Sequence, residues 1–232
     1  MLFRSLRYDK RGVGESESAA GQVEKTVFED MIIDAERWIE LLRGDNRFSS
    51  IGILGHSEGS LVGMCVASRK DVDFFISVAG AGRPAAEVIR VQLSSQPGFI
   101  KKKAYPILDE LAAGRQVKQV PKLLNNLFKP ELQPYLISWN SYDPAAVLAG
   151  LDIPVLIIQG ERDIQTSIKD AEILAAANPR AELAVIEGMN HVLKKAPKGR
   201  LRNLLTYTNP KLPLSENLTR ELSAFLRKHK VI

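Results

Sequence analysis

The sequence predicts an α/β fold: a mostly parallel sheet with helices on both faces and a helical insertion. Three observations predict it. Short apolar runs of strand length alternate with segments of helical period. One of those runs, Ile51–Leu54, passes directly into the glycine-flanked serine turn Gly55-His56-Ser57-Glu58-Gly59. The chain has 232 residues, 45% hydrophobic and 25% charged, which suits one sizeable domain with a full core.

The first strand-like run is Leu2–Tyr8, and it ends in a glycine-bearing loop, Asp9–Ser16. A helix follows over Thr26–Arg43. Thr26 and Glu29 have the spacing of a capping box, Phe28, Ile32, Ala35, Ile39 and Leu42 share one face, and Gly44 terminates it. Ile51–Leu54 is the next strand, and Ser60–Ala67, small and apolar, is a buried helix after the serine turn. Asp73–Gly80, Pro154–Gly160 and Glu182–Glu187 read as further strands, with a helix over Ser167–Ala177 between the last two. A terminal helix spans Ser215–Lys228, with Leu218, Leu222, Phe225 and Leu226 on one side.

Residues 82–149 break the alternation. They are too many for a plain loop, and Ile107, Leu108, Leu111, Ala112 and then Val120, Leu123, Leu124, Leu127, Phe128 recur with helical spacing. The expectation is a core made of residues 1–81 and 150–232, with residues 82–149 as a helical lid over the carboxyl ends of the strands.

Composition excludes several classes. The net charge is +5, but the basic residues are scattered among 27 acidic ones. The tight runs Lys101–Lys103 and Lys194-Lys195 read as solvated faces, so no nucleic-acid partner is expected. His56, His191 and His229 are far apart, and neither C-x-x-C nor H-E-x-x-H occurs, so no metal is expected. The single cysteine, Cys65, allows no internal disulfide and packs as a small apolar residue. No apolar run approaches the ~20 residues of a membrane span. Nor does the N-terminus have the apolar core of a signal peptide, which as the chain stands implies a cytoplasmic protein.

A strand feeding into G-x-S-x-G needs a tight, strained turn. Gly55 and Gly59 offer no Cβ to clash there, and Ser57 is held at the tip. A serine hydroxyl is a poor nucleophile until a histidine takes its proton, and that histidine needs an oriented carboxylate. The strand Pro154–Gly160 runs into Glu161-Arg162-Asp163, and the strand Glu182–Glu187 into Gly188-Met189-Asn190-His191. In a parallel sheet both turns lie at the same end as Ser57. His191 is therefore the expected base and Asp163 its orienting acid. Asp163 is preferred over Glu161 because it lies further beyond the strand. Asp143 and Asp152 sit in turn-forming contexts. His56 should point away from the Ser57 hydroxyl, and His229 should lie exposed on the terminal helix. One oxyanion donor is the backbone N–H of Glu58, while the Glu58 side chain either caps its helix or lines the pocket.

With these residues assembled, the chain resembles the α/β-hydrolase superfamily, in its serine aminopeptidase-like, lid-bearing esterase branch. The likeness is carried by Tyr8–Ser16, Gly55–Ser60, Gly160–Asp163 and Gly188–His191, and it runs nearly the whole chain, weakest in the insertion. The resemblance implies a serine hydrolase of ester-type acyl bonds with catalytic Ser57, Asp163 and His191, no cofactor, and a small acyl ester or short peptide as substrate. An aminopeptidase or a thioesterase would use the same triad. A non-catalytic protein of the same fold is the rival from another class. In such families the Asp9–Ser16 loop follows the fourth strand and is structural. The first three strands and the first helix then have no counterpart here, nor does the loop that gives the second oxyanion donor. The expectation is a piece of a longer enzyme. The other arrangements are Leu2–Tyr8 pairing directly with Ile51–Leu54, or a relative of reduced activity.

Overall fold

Four strands pair in parallel and in chain order: β1 (Gly52–His56), β2 (Phe74–Val78), β3 (Val155–Gly160) and β4 (Glu182–Ile186). The computed structural model describes residues 4–21 and 26–232. Its α-helices are α1 (Phe28–Arg43), α2 (Glu58–Arg69), α3 (Ala85–Leu93), α4 (Gly98–Ala112), α5 (Asn125–Phe128), α6 (Gln133–Asn140), α7 (Pro144–Ala149), α8 (Ile168–Ala177), α9 (Arg200–Leu204) and α10 (Glu216–Lys228).

The chain divides into two compact units. One comprises Ala35–Arg83 and Pro144–Ile232, the other Arg4–Asp34 and Pro84–Asp143. The first holds the sheet. Strands added in sequence order by right-handed crossovers place all their connecting helices on one face. Accordingly α2 lies against β1 and β2, α8 against β3 and β4, and α7 packs on both of these helices. α10 covers the other face, where Leu218, Phe225 and Leu226 pack on Phe74, Ile76, Val78, Leu156, Ile158 and Ile186. The period of two in β2 sorts its side chains: Phe74, Ile76 and Val78 face α10, while Phe75 touches α2 at Gly63. Ser77 on that face hydrogen-bonds Ser60 of α2 at 2.7 Å.

The second unit is helical. Ile89 of α3, Ala104, Ile107, Leu108 and Leu111 of α4, and Leu124 and Phe128 form its core. Gln133, fully buried, satisfies the backbone of Val117 and of Phe128 with its side-chain amide. Phe28 lies among the rings of Tyr135, Trp139 and Tyr142. Arg11 forms a two-pronged pair with Asp34, at 2.7 and 2.6 Å.

Two sequence expectations are corrected. Residues 4–8 join no β-ladder, and Leu2 and Phe3 lie outside the described residues. An isolated extended segment gains little without a partner strand's hydrogen bonds. The capping of α1 is shifted by one residue. The helix begins at Phe28, and Asp30, its third residue, reaches back to the Val27 N–H at 2.9 Å. The Glu29 carboxylate instead accepts the hydroxyl of Tyr142.

Candidate active site

At the end of β1 the chain turns sharply into α2. Ser57 sits at that turn with φ 56° and ψ −120°, a region that non-glycine residues rarely occupy. The surroundings hold it there. The Ser57 N–H donates to the Val78 carbonyl at 2.9 Å, extending the β1–β2 ladder by one bond, and the Ser57 carbonyl accepts the Ser60 N–H at 3.0 Å. A Cβ on Gly55 would lie 2.1 Å from the Gly59 carbonyl oxygen, so only glycine fits. Gly59 differs from the expectation. A Cβ there would meet nothing within 4 Å, and it is the backbone of Gly59 that crowds Gly55. Glu58 is the first residue of α2, where the N-terminal dipole end and the first-turn amides are located.

The turns after β3 and β4 are laced together. The Glu161 N–H donates to the Ile186 carbonyl at 3.0 Å and the Arg162 N–H to the Met189 carbonyl at 2.8 Å. The Glu161 carboxylate accepts the Gly188 N–H at 2.8 Å. Glu161 therefore binds the neighbouring turn, and Asp163 reaches the histidine. Asp163 Oδ2 lies 2.7 Å from His191 Nδ1, and His191 Nε2 lies 2.9 Å from Ser57 Oγ. The three side chains form one continuous hydrogen-bonded chain.

The Asp163 side chain is fully buried and amply supplied with donors. Its Oδ1 accepts the Gln165 and Thr166 N–H groups at 2.7 and 3.0 Å. Its Oδ2 accepts Thr166 Oγ1 at 2.9 Å and Gln159 Nε2 at 3.2 Å beside the histidine. A carboxylate is acceptor-only and suits all of these. With Nδ1–H donating to Asp163, His191 presents the Nε2 lone pair to the serine hydroxyl, the assignment this network favours.

Sequence reasoning left four supporting residues unassigned. His56 Nε2 donates to the His191 carbonyl at 2.8 Å, and the two imidazole rings are 5.0 Å apart. Burial, more than the neighbouring His191, pushes the His56 imidazole below its ordinary value of 6.5. Gln159 and Thr166 hold Asp163. Asn203 joins Asn190, the residue before His191, to the carbonyl of Arg162, the residue before Asp163, at 2.9 and 2.7 Å. His191 itself could be found from its place after a strand. These four could not, since nothing local marks their partners.

The other candidates lie elsewhere. Asp152 pairs with Arg180. His229 is not simply exposed: its ring packs at a tilt against Phe225, with centroids 4.6 Å apart, and hydrogen-bonds Glu182 at 3.0 Å. Among the described residues no cluster of three or more His, Cys, Asp or Glu could hold a metal ion.

Residues 3–147, more than half the chain, match the family described as serine aminopeptidase, S33. The chain belongs to that family. Its fold is the α/β-hydrolase fold. Esterase EstD of Thermotoga maritima is 27% identical over 201 residues, which are 81% of this chain and 45% of that protein. The chain thus spans less than half the length of this relative. Among solved structures, BpoC of Mycobacterium tuberculosis H37Rv superposes with a TM-score of 0.57 at 17% identity, over 95% of this chain and 80% of that one. A Pyrococcus furiosus esterase gives 0.53 at 18% identity, over 88% of this chain and 63% of that one. At such identities these two likenesses speak to fold alone. Among the described residues of this family member, no helix is long and apolar enough to cross a membrane.

Proposed function

We propose that this chain is a serine hydrolase that cleaves ester-type acyl bonds through an acyl-enzyme on Ser57. The observation that carries the reading is the unbroken bond chain from Ser57 Oγ through His191 to Asp163, at 2.9 and 2.7 Å. The esterase name of the Thermotoga relative supports the choice of ester over amide.

The chemistry follows from the geometry. Ser57 Oγ attacks the acyl carbonyl while its proton passes to His191 Nε2. Asp163 keeps the imidazole in the required tautomer and stabilises the imidazolium. The Glu58 N–H donates to the developing oxyanion. The tetrahedral intermediate collapses, and His191 returns the proton to the departing alkoxide, which leaves as the alcohol. Water, deprotonated by His191, then attacks the acyl-enzyme and releases the carboxylic acid with Ser57 restored. The chemistry requires no cofactor. The helical insertion of residues 82–149 is our candidate for setting acyl and alcohol preference, the role expected of a lid.

The test is hydrolysis of p-nitrophenyl acetate and butyrate by the chain and by Ser57→Ala. The reading predicts turnover that the substitution lowers by about 10³-fold or more. Folded, soluble chain without Ser57-dependent turnover would favour a non-catalytic member of the family. Faster cleavage of amino-acid p-nitroanilides than of esters would favour the aminopeptidase alternative.

A further inference from the structure

Between Glu187 and Glu216 the chain carries Lys194, Lys195, Lys198, Arg200, Arg202 and Lys211 and no acidic residue. Lys194 is engaged: its ammonium donates to the carbonyls of Thr206 and Asn209 at 3.1 and 2.7 Å. Lys195, Lys198, Arg200, Arg202 and Lys211 are exposed, and among the described residues none is ion-paired with a carboxylate.

α9, in the middle of this stretch, is amphipathic in the reverse sense. Asn203 of the helix and Thr206 just beyond it point inward, 3% and 6% exposed, while Leu201 and, just past the helix, Leu205 face outward beside Arg200 and Arg202, the leucines 80% and 71% exposed. The turn continues past the helix, since the Leu205 N–H donates to the Leu201 carbonyl at 3.2 Å, which sets the two leucines one above the other. Leu204 is exposed beside them. The inward side has a clear reason, because Asn203 ties the turns that carry Asp163 and His191. Among the described residues the outward leucines stay largely uncovered.

We propose that residues 195–211 are a docking surface for an anionic phospholipid bilayer. A helical turn with leucines outward, ringed by unpaired cations, has the composition of an interfacial segment: the cations are drawn to acidic headgroups and the leucines enter the acyl boundary. Charge complementarity selects this occupant. A second copy of the chain would set like charges against each other across a two-fold interface. Nucleic acid would satisfy the cations and leave the leucines in water. Because Asn203 joins α9 to the turns that carry Asp163 and His191, docking would hold those turns near the lipid surface. Resting on the hydrolase reading above, this names the substrate class as acyl esters carried by that surface.

The test is co-sedimentation of the full chain with vesicles of phosphatidylcholine alone and of equimolar phosphatidylcholine and phosphatidylglycerol. The expected result is binding to the anionic vesicles only, weakening as salt rises. Arg200→Gln with Arg202→Gln should weaken it by about fivefold per charge removed. Leu201→Ser with Leu205→Ser should weaken it by about tenfold or more. These side chains are exposed, so the far-ultraviolet circular dichroism should be unchanged. Ser57→Ala should bind like the parent chain, which separates docking from hydrolysis. The proposal would be overturned by no binding, equal binding to both vesicles, binding indifferent to the leucine substitutions, or tighter association with duplex DNA than with vesicles at the same salt. A dimer in solution that the leucine substitutions dissociate would also overturn it, by assigning the face to self-association.

Discussion

Asn203 donates its side-chain amide to the backbone carbonyl of Arg162 at 2.7 Å. Its own side-chain oxygen accepts from Asn190 at 2.9 Å, so one buried residue braces the positions just before Asp163 and His191. Asn203→Ala removes both bonds and strands the Arg162 carbonyl. The expected cost is about 1–3 kcal/mol in urea unfolding. Turnover should fall more than KM rises, because the spacing of acid and base is what loosens. A stable Asn203→Ala chain with unchanged kcat would show that the brace does not position the site.

His56 makes a comparable bond from the other side, to the His191 carbonyl. Glutamine carries an N–H donor at similar reach, whereas leucine carries none. His56→Gln should keep kcat/KM within a few-fold of the parent, and His56→Leu should lose about 3–10-fold, the worth of one hydrogen bond. The parent chain should also show an acid slope in stability. The folded-state pKa of His56 lies below its ordinary 6.5, chiefly through burial, so the unfolded chain binds the proton more readily. The stabilisation is full above 6.5 and is lost as pH falls toward the folded-state value. Melting temperature against pH should therefore fall less steeply below 6.5 in His56→Gln than in the parent.

Asp170 is buried at the start of α8 and takes a two-pronged bond from Arg83 at 2.9 and 2.8 Å, together with the Ser167 hydroxyl at 2.7 Å. Burial alone would raise its pKa, but the bonds from Arg83 and Ser167 outweigh it and hold the carboxyl below its ordinary 3.8. The stabilisation is therefore present above 3.8 and is lost as pH falls through the folded-state value. Asp170→Asn should destabilise the chain by about 3 kcal/mol at neutral pH, the scale for breaking a buried ion pair. The gap to the parent should narrow in urea titrations near pH 3.

The glycines of the serine turn make opposite predictions. Gly55→Ala forces a Cβ to within 2.1 Å of a backbone oxygen and should cost more than about 4 kcal/mol or abolish folding. Gly59→Ala places its methyl in open space within α2 and should stabilise by about 0.5–1 kcal/mol. Thermal melts of both variants check the pair.

Strands and their end turns were legible because they are local. The runs read as Ile51–Leu54, Asp73–Gly80, Pro154–Gly160 and Glu182–Glu187 became β1–β4 within a few residues. Ser57, Asp163 and His191 could be named from strand ends alone, since parallel pairing brings those ends together. Leu2–Tyr8 misled for the complementary reason. Its apolar residues describe a segment that could extend, and extension is stable only where a neighbour supplies the ladder, which a linear pattern does not record. The Thr26–Glu29 pair had the right spacing, yet Asp30 one residue later had the better reach. Lys194-Lys195 read as a solvated face because the inversion of α9 is visible only in the burial of Asn203 and Thr206 beside exposed Leu201 and Leu205.

In the proposed mechanism His191 and Asp163 activate Ser57. The most direct measurement is intact-protein and peptide mass spectrometry after treatment with a fluorophosphonate, which phosphonylates an activated serine with loss of fluoride. A single adduct is expected on the peptide containing Ser57, absent from Ser57→Ala and strongly slowed in His191→Ala. No adduct on folded chain, or an adduct on Ser57 that forms equally fast without His191, would contradict it.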